Sequence, residues 1–229
     1  MLIENYDRVL LNVNAAKERS KYNQNVLLVA VSKTKPASDI EELYNHGVRD
    51  FGENKVQELC EKYEVLPKDI NWHLIGHLQT NKIKYIVDKV KLIHSVDSVH
   101  LASAIEKEAA KKNVVVDILV QVNVAEEETK FGLNLEEVTE IVTEISKMPH
   151  IRIKGLMTIA QFVEYAEDNR EVFEKLKKLS VDIERKNIDN VCMQTLSMGM
   201  SGDYEVAIEE GATIVRVGSN IFGARNYTI

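Results

Sequence analysis

A chain of 229 residues, 45% hydrophobic and 28% charged, has the composition of a globular protein large enough to bury a substantial core. Its net charge of −7 gives no support to a general role on nucleic acid or on an anionic membrane surface. No apolar run approaches the roughly 20 residues that span a bilayer, and the N-terminus lacks the basic start, apolar middle and cleavage site of a signal peptide.

Residues 3–21 place Ile3, Tyr6, Val9, Leu10 and Val13 on one stripe, the period of an opening helix. A strand apolar on both faces follows at 26–31, and Ser38 or Asp39 is placed to cap a helix that stops at Gly47. Next come a short strand at 48–52, a helix at 53–63, a strand at 72–76 and a helix at 80–89. A strand at 91–97 leads into a strongly helical stretch at 98–112, then the longest strand candidate at 114–124 and a helix at 134–147 capped by Asn134. The pattern ends with a strand at 151–159, a long helix at 165–186, a strand at 192–199, a helix at 204–211 and a strand at 213–218.

Eight apolar strands separated by helices predict parallel pairing with buried crossovers. The expectation is one α/β domain over 1–229, a closed TIM-type (β/α)8 barrel with an extra N-terminal helix. The first strand-to-helix turn has no GxGxxG, which argues against a dinucleotide site. No Pro/Gly/Ser-rich linker divides the chain, and Cys60 and Cys192, without CxxC spacing, suit reduced thiols in the cytoplasm.

Barrel enzymes carry their sites at the carboxyl ends of the strands, with phosphate commonly held after strands seven and eight. Lys33 follows the first strand within VSKTKP; partial desolvation there favours the neutral, nucleophilic amine, which forms Schiff bases with carbonyl compounds. Alone, such a lysine more often marks where a strand surfaces. Gly218 and Ser219, in RVGSNIFG, and Ser201, in LSMGMSGD, supply amide and hydroxyl donors for an anion, and Ser201 is preferred to Ser197 because it lies past the strand end. Asp203 is placed to cap the next helix. Arg216 shares a strand face with Gly218; if Gly218 faces the barrel mouth, Arg216 points inside, where a ligand acceptor or an internal carboxylate must offset its burial. Asn54, in FGEN, is a candidate hydrogen-bonding partner for a ring oxygen, although Glu53 and Asn54 equally suit a helix start. His73 and His77 are four apart but separated by strand and Gly76, so no zinc pair is expected; His94 and Met157, Met198 and Met200 read as packing residues.

Together VSKTKP, FGEN, HLIGHLQTNK, GLMTI, LSMGMSGDYEVAI and VRVGSNIFGARNY resemble the pyridoxal phosphate homeostasis proteins of the YggS/PROSC type, in order and over nearly the whole chain. The resemblance implies a barrel similar to that of alanine racemases, with pyridoxal 5′-phosphate (PLP) held covalently by Lys33. It further implies Arg216 at the pyridine nitrogen, Ser201, Gly218 and Ser219 at the phosphate, and Asn54 near the ring. Lys35 matches a second family lysine that assists transfer, and Lys82 is another candidate attachment point. The given sequence ends with GSNIFGARNYTI, so no appended catalytic domain is expected. The implied function is non-catalytic buffering or delivery of PLP, with PLP-dependent apoenzymes as partners, no nucleic acid or membrane, and a monomer or weak dimer. A small amino-acid racemase is the alternative, and a barrel enzyme acting on a phosphorylated metabolite without PLP is a third reading.

Overall fold

Eight parallel strands close on themselves in sequence order: β1 (Leu27–Val31), β2 (Asp50–Glu53), β3 (Asn71–Leu74), β4 (Val90–Val96), β5 (Val116–Gln121), β6 (Ile151–Met157), β7 (Val191–Met200) and β8 (Ile214–Val217), with β8 returning to pair with β1. This is the expected closed barrel. It is seen in a computed structural model that describes residues 1–125 and 131–223. The helices are α1 (Leu2–Arg19), α2 (Ala37–Asn45), α3 (Val56–Val65), α4 (Val99–Lys112), α5 (Val138–Ile145), α6 (Arg170–Glu184), α7 (Tyr204–Glu209) and the single turn α8 (Ser219–Phe222). None among the described residues is long and apolar enough to cross a membrane.

Strand alternation sorts the side chains into two layers. Leu28 and Ala30 join the large cluster between barrel and helices, while Val29 packs inside with Leu92, Leu119, Met157 and Ile214. Val29 and Arg216 are register partners on β1 and β8, so Arg216 belongs to the inner layer as its parity predicts. The extra helix α1 lies against α7 and α8, next to the turns after the last two strands. Its buried residues are Val9, Val13 and Ala16, whereas Leu10 faces out.

Several local expectations are corrected. Residues 80–89 form only a 3-10 segment, Thr80–Tyr85, because Ile83, Ile86 and Val87 drop into the core within a single turn and the chain enters β4 at Val90. The long helix at 165–186 divides into a 3-10 turn, Ala166–Asn169, and α6. Pro36, rather than Ser38 or Asp39, stands at the N-cap of α2, its fixed φ of −68° suiting that position. Asn134 opens a turn whose amide donates to Glu137 Oε2 at 3.4 Å, and α5 begins after Glu137. Glu53 does not start a helix; it ends β2 and is fully buried.

Candidate functional site

A cavity of about 500 Å³ opens where β1, β7 and β8 end, within the range of small-ligand sites. Lys33, Ser201, Arg216, Gly218 and Ser219 all line it, together with Lys35. Five of the six residues singled out from sequence thus converge from three segments. Asn54 is not among the lining residues; its backbone packs against Gly76, where an added Cβ would approach the Asn54 carbonyl oxygen to 2.4 Å. Lys82 also lies outside the lining, in the 3-10 segment after β3. The tail of the last motif beyond Gly223 lies outside the described residues.

The turn that carries Lys33 is built with care. Thr34 sits at φ 64°, a left-handed conformation costly for a β-branched residue and sustained only by its surroundings. Its amide donates to Glu58 Oε1 at 2.5 Å. Lys62 Nζ donates to the Ser32 carbonyl at 2.8 Å, to Glu53 Oε1 at 2.7 Å and to Glu58 Oε1 at 2.7 Å, while Ser32 Oγ donates to Glu53 Oε1 at 2.6 Å. Burial pushes the Glu53 carboxyl above its ordinary value, and the Lys62 charge opposes that. Lys35 Nζ donates to the Phe222 carbonyl at 2.8 Å, tying the same turn to α8.

On the far wall, the Gly218 amide donates to Ser201 Oγ at 3.2 Å, and Asn220 Nδ2 donates to the Ser201 carbonyl at 2.9 Å. This draws the turn after β7 onto the start of α8, whose Ser219 and Asn220 amides have no acceptor within the helix. Asp203 occupies the N-cap position of α7 but caps no helix amide. Its carboxylate instead accepts from the Met200 amide at 2.7 Å and from Asn169 Nδ2 at 2.9 Å.

Arg216 is only 4% exposed, yet no carboxylate among the described residues lies within ion-pairing distance of it. Its Nη1 donates to Ser197 Oγ at 2.5 Å and its Nη2 to the Thr158 carbonyl at 2.8 Å. Burial lowers its pKa to about 10, with the charge of Asp203 opposing, so it remains a cation at neutral pH. A buried guanidinium with donors to spare, facing a cavity, calls for an acceptor from a ligand. An amine across the same cavity, hydroxyls and helix amides at one end, and this guanidinium together fit an aldehyde bearing a heteroaromatic ring and a phosphate.

The roles of two sets of residues were not found from the sequence. Lys62, not singled out from sequence, continues the Val56–Leu59 stripe of α3 and is 6% exposed. His73 and His94 are both buried and hydrogen-bonded to each other. His77 instead faces outward, stacked on Phe131 at 4.1 Å. Among the described residues no group of three potential ligands is arranged to hold a metal ion.

Residues 5–226 match the family described as alanine racemase, N-terminal domain. A protein of Aquifex aeolicus named pyridoxal phosphate homeostasis protein is 48% identical over 226 residues, 98% of each chain. A solved structure of an unknown protein from Bifidobacterium adolescentis superposes with TM-score 0.91 at 36% identity, covering 96% of this chain and 94% of that one. PipY of Synechococcus elongatus PCC7942, solved with PLP bound, gives TM-score 0.80 at 34% identity over 93% of this chain and 100% of that one.

Proposed function

The chain belongs to the pyridoxal phosphate homeostasis protein family, and from that premise we propose that it binds PLP through Lys33 and buffers or delivers it to PLP-dependent apoenzymes, residues 1–229 acting as one domain. When bound, PLP supplies an aldehyde that an amine captures as a carbon–nitrogen double bond, and a ring that draws electrons more strongly when its nitrogen is protonated. The Lys33 amine is the residue to hold that aldehyde carbon. Ser201, Gly218 and Ser219 would hold the phosphate, a reading supported by their position on the same cavity at the start of α8.

The observation that carries the proposal is Arg216, a buried cation with no carboxylate partner among the described residues, on the same cavity as Lys33. Set against the ring nitrogen, a permanent cation disfavours its protonation and weakens the electron withdrawal that racemisation and decarboxylation need. That favours keeping the cofactor over using it. A carboxylate there would argue the reverse.

Borohydride treatment of the PLP-loaded protein, followed by peptide mapping, tests the attachment. The modified peptide should carry Lys33, and Lys33→Ala should abolish both the label and the visible absorbance; label at Lys35 or Lys82 in the unaltered protein, or none, overturns it. A racemase reading is favoured by one observation, the match to the alanine racemase N-terminal domain. Deuterium exchange at the α-carbon of free amino acids separates the two: exchange above a heat-killed control establishes the enzyme, and its lack supports the carrier.

A further inference from the structure

A line of buried polar side chains runs through the barrel from the start of β2 to the cavity. Asp50 Oδ1 lies 3.0 Å from His73 Nε2, His73 Nδ1 lies 2.9 Å from His94 Nε2, and His94 Nδ1 lies 2.8 Å from Ser197 Oγ, which accepts from Arg216 at 2.5 Å. His73, His94, Ser197 and Arg216 are all buried, on β3, β4, β7 and β8. Polar groups in such an interior are costly unless every bond is made.

Donor counting leaves one arrangement for neutral rings. A carboxylate only accepts, so His73 donates from Nε2 and must accept at Nδ1. His94 therefore donates from Nε2 and accepts at Nδ1, which takes the Ser197 hydroxyl hydrogen. Ser197 is left with its lone pairs for the guanidinium, which only donates. Every bond points the same way, from Arg216 toward Asp50.

We propose that Ser197, His94 and His73 form a one-way hydrogen-bond relay that positions the Arg216 guanidinium from behind for the ligand's ring nitrogen, with Ser197 and His94 as positioning residues. The relay explains why a row of polar groups occupies a barrel interior whose neighbouring layer is Val29, Leu92, Leu119, Met157 and Ile214. It also explains how Arg216 is oriented with no carboxylate partner among the described residues: Ser197 and the Thr158 carbonyl hold two of its donors, and the others face the cavity. The ligand end rests on the PLP reading above, whereas the proton arrangement does not.

Two measurements test it. In unliganded protein labelled with ¹⁵N-histidine, two-bond nitrogen–proton correlations should show His73 and His94 each protonated on Nε2 alone, assigned with His73→Gln and His94→Gln. A proton on His94 Nδ1 overturns the relay whatever the protein binds. In PLP titrations, His94→Leu, which leaves the Ser197 hydroxyl without its acceptor, should weaken binding about tenfold. His94→Gln, which both accepts and donates, should stay within about twofold of the unaltered protein. Ser197→Ala, a small change that removes the hydroxyl from Arg216, should match His94→Leu and decides the matter if the leucine variant does not fold. Equal binding by all three, or equal loss in the glutamine and leucine variants, refutes a positioning role. If the unaltered protein shows the Nε2 pattern but takes up no PLP, it is the ligand reading that has failed.

Discussion

Lys62 holds the turn that carries Lys33. It caps the Ser32 carbonyl one residue before Lys33 and neutralises Glu53 in a site closed to water. Lys62→Met keeps the aliphatic stem but strands Glu53, whose second oxygen already has no hydrogen-bond partner. Removing one partner of a buried pair costs about 3 kcal/mol. Urea unfolding should show that loss, and it should grow as pH rises: burial raises the Glu53 pKa and the Lys62 charge opposes the shift, so without Lys62 the folded carboxyl holds its proton to higher pH than in the parent and the variant loses stability over a wider range above the unfolded value. A variant as stable as the parent would mean that Glu53 is already neutral and that Lys62 only fills space. Lys62 itself was hidden because a lysine on an otherwise apolar stripe, three residues after Leu59, reads as the edge of the stripe until its carboxylate partner on another element is known.

At the scale of elements, the turn from β7 into α7 brings Ser201 to the cavity. Gly199 has φ +89°, and a Cβ there would come within 2.6 Å of Ala207 Cβ and 2.9 Å of Tyr204 Cα. Only glycine permits both the conformation and the approach of α7 to the strand. Gly199→Ala should therefore cost ~2 kcal/mol in thermal or urea unfolding and weaken PLP binding by displacing Ser201. Unchanged stability would show that α7 shifts freely. The strands were legible because each is a short apolar run between turn residues. The failures came where local pattern and tertiary demand diverge: residues 80–89 have helical periodicity but are drawn inward by Ile83, Ile86 and Val87, and the N-terminal part of 165–186 tightens into a 3-10 turn whose Asn169 reaches Asp203.

Across the whole molecule, what sequence could reveal of the site was what each segment carries by itself: an amine after β1, hydroxyls and glycines after β7 and β8, and an arginine whose parity turns it inward. Asn54 lies outside the cavity lining because a motif fixes proximity to a strand end but not the direction its backbone takes past Gly76. The polar row was illegible for a topological reason, since His94 and Ser197 are joined only by barrel closure across 103 positions. That row has a consequence for the pH dependence of the fold. His94 is held well below the ordinary imidazole value of 6.5, first by burial and then by the facing His73 and Arg216. The unfolded imidazole takes up a proton below that value and the folded one does not, so this contribution to stability is full above about pH 6.5 and lost as pH falls toward the depressed folded value, at up to ~1.4 kcal/mol per pH unit. Glutamine keeps the hydrogen bonds and carries no titrating proton. Urea unfolding of unliganded protein at several pH values between about 7 and 5 should show the parent losing stability more steeply than His94→Gln. Parallel curves would mean that His94 takes up a proton inside the barrel, and that the hydroxyl of Ser197 has turned to make room for it.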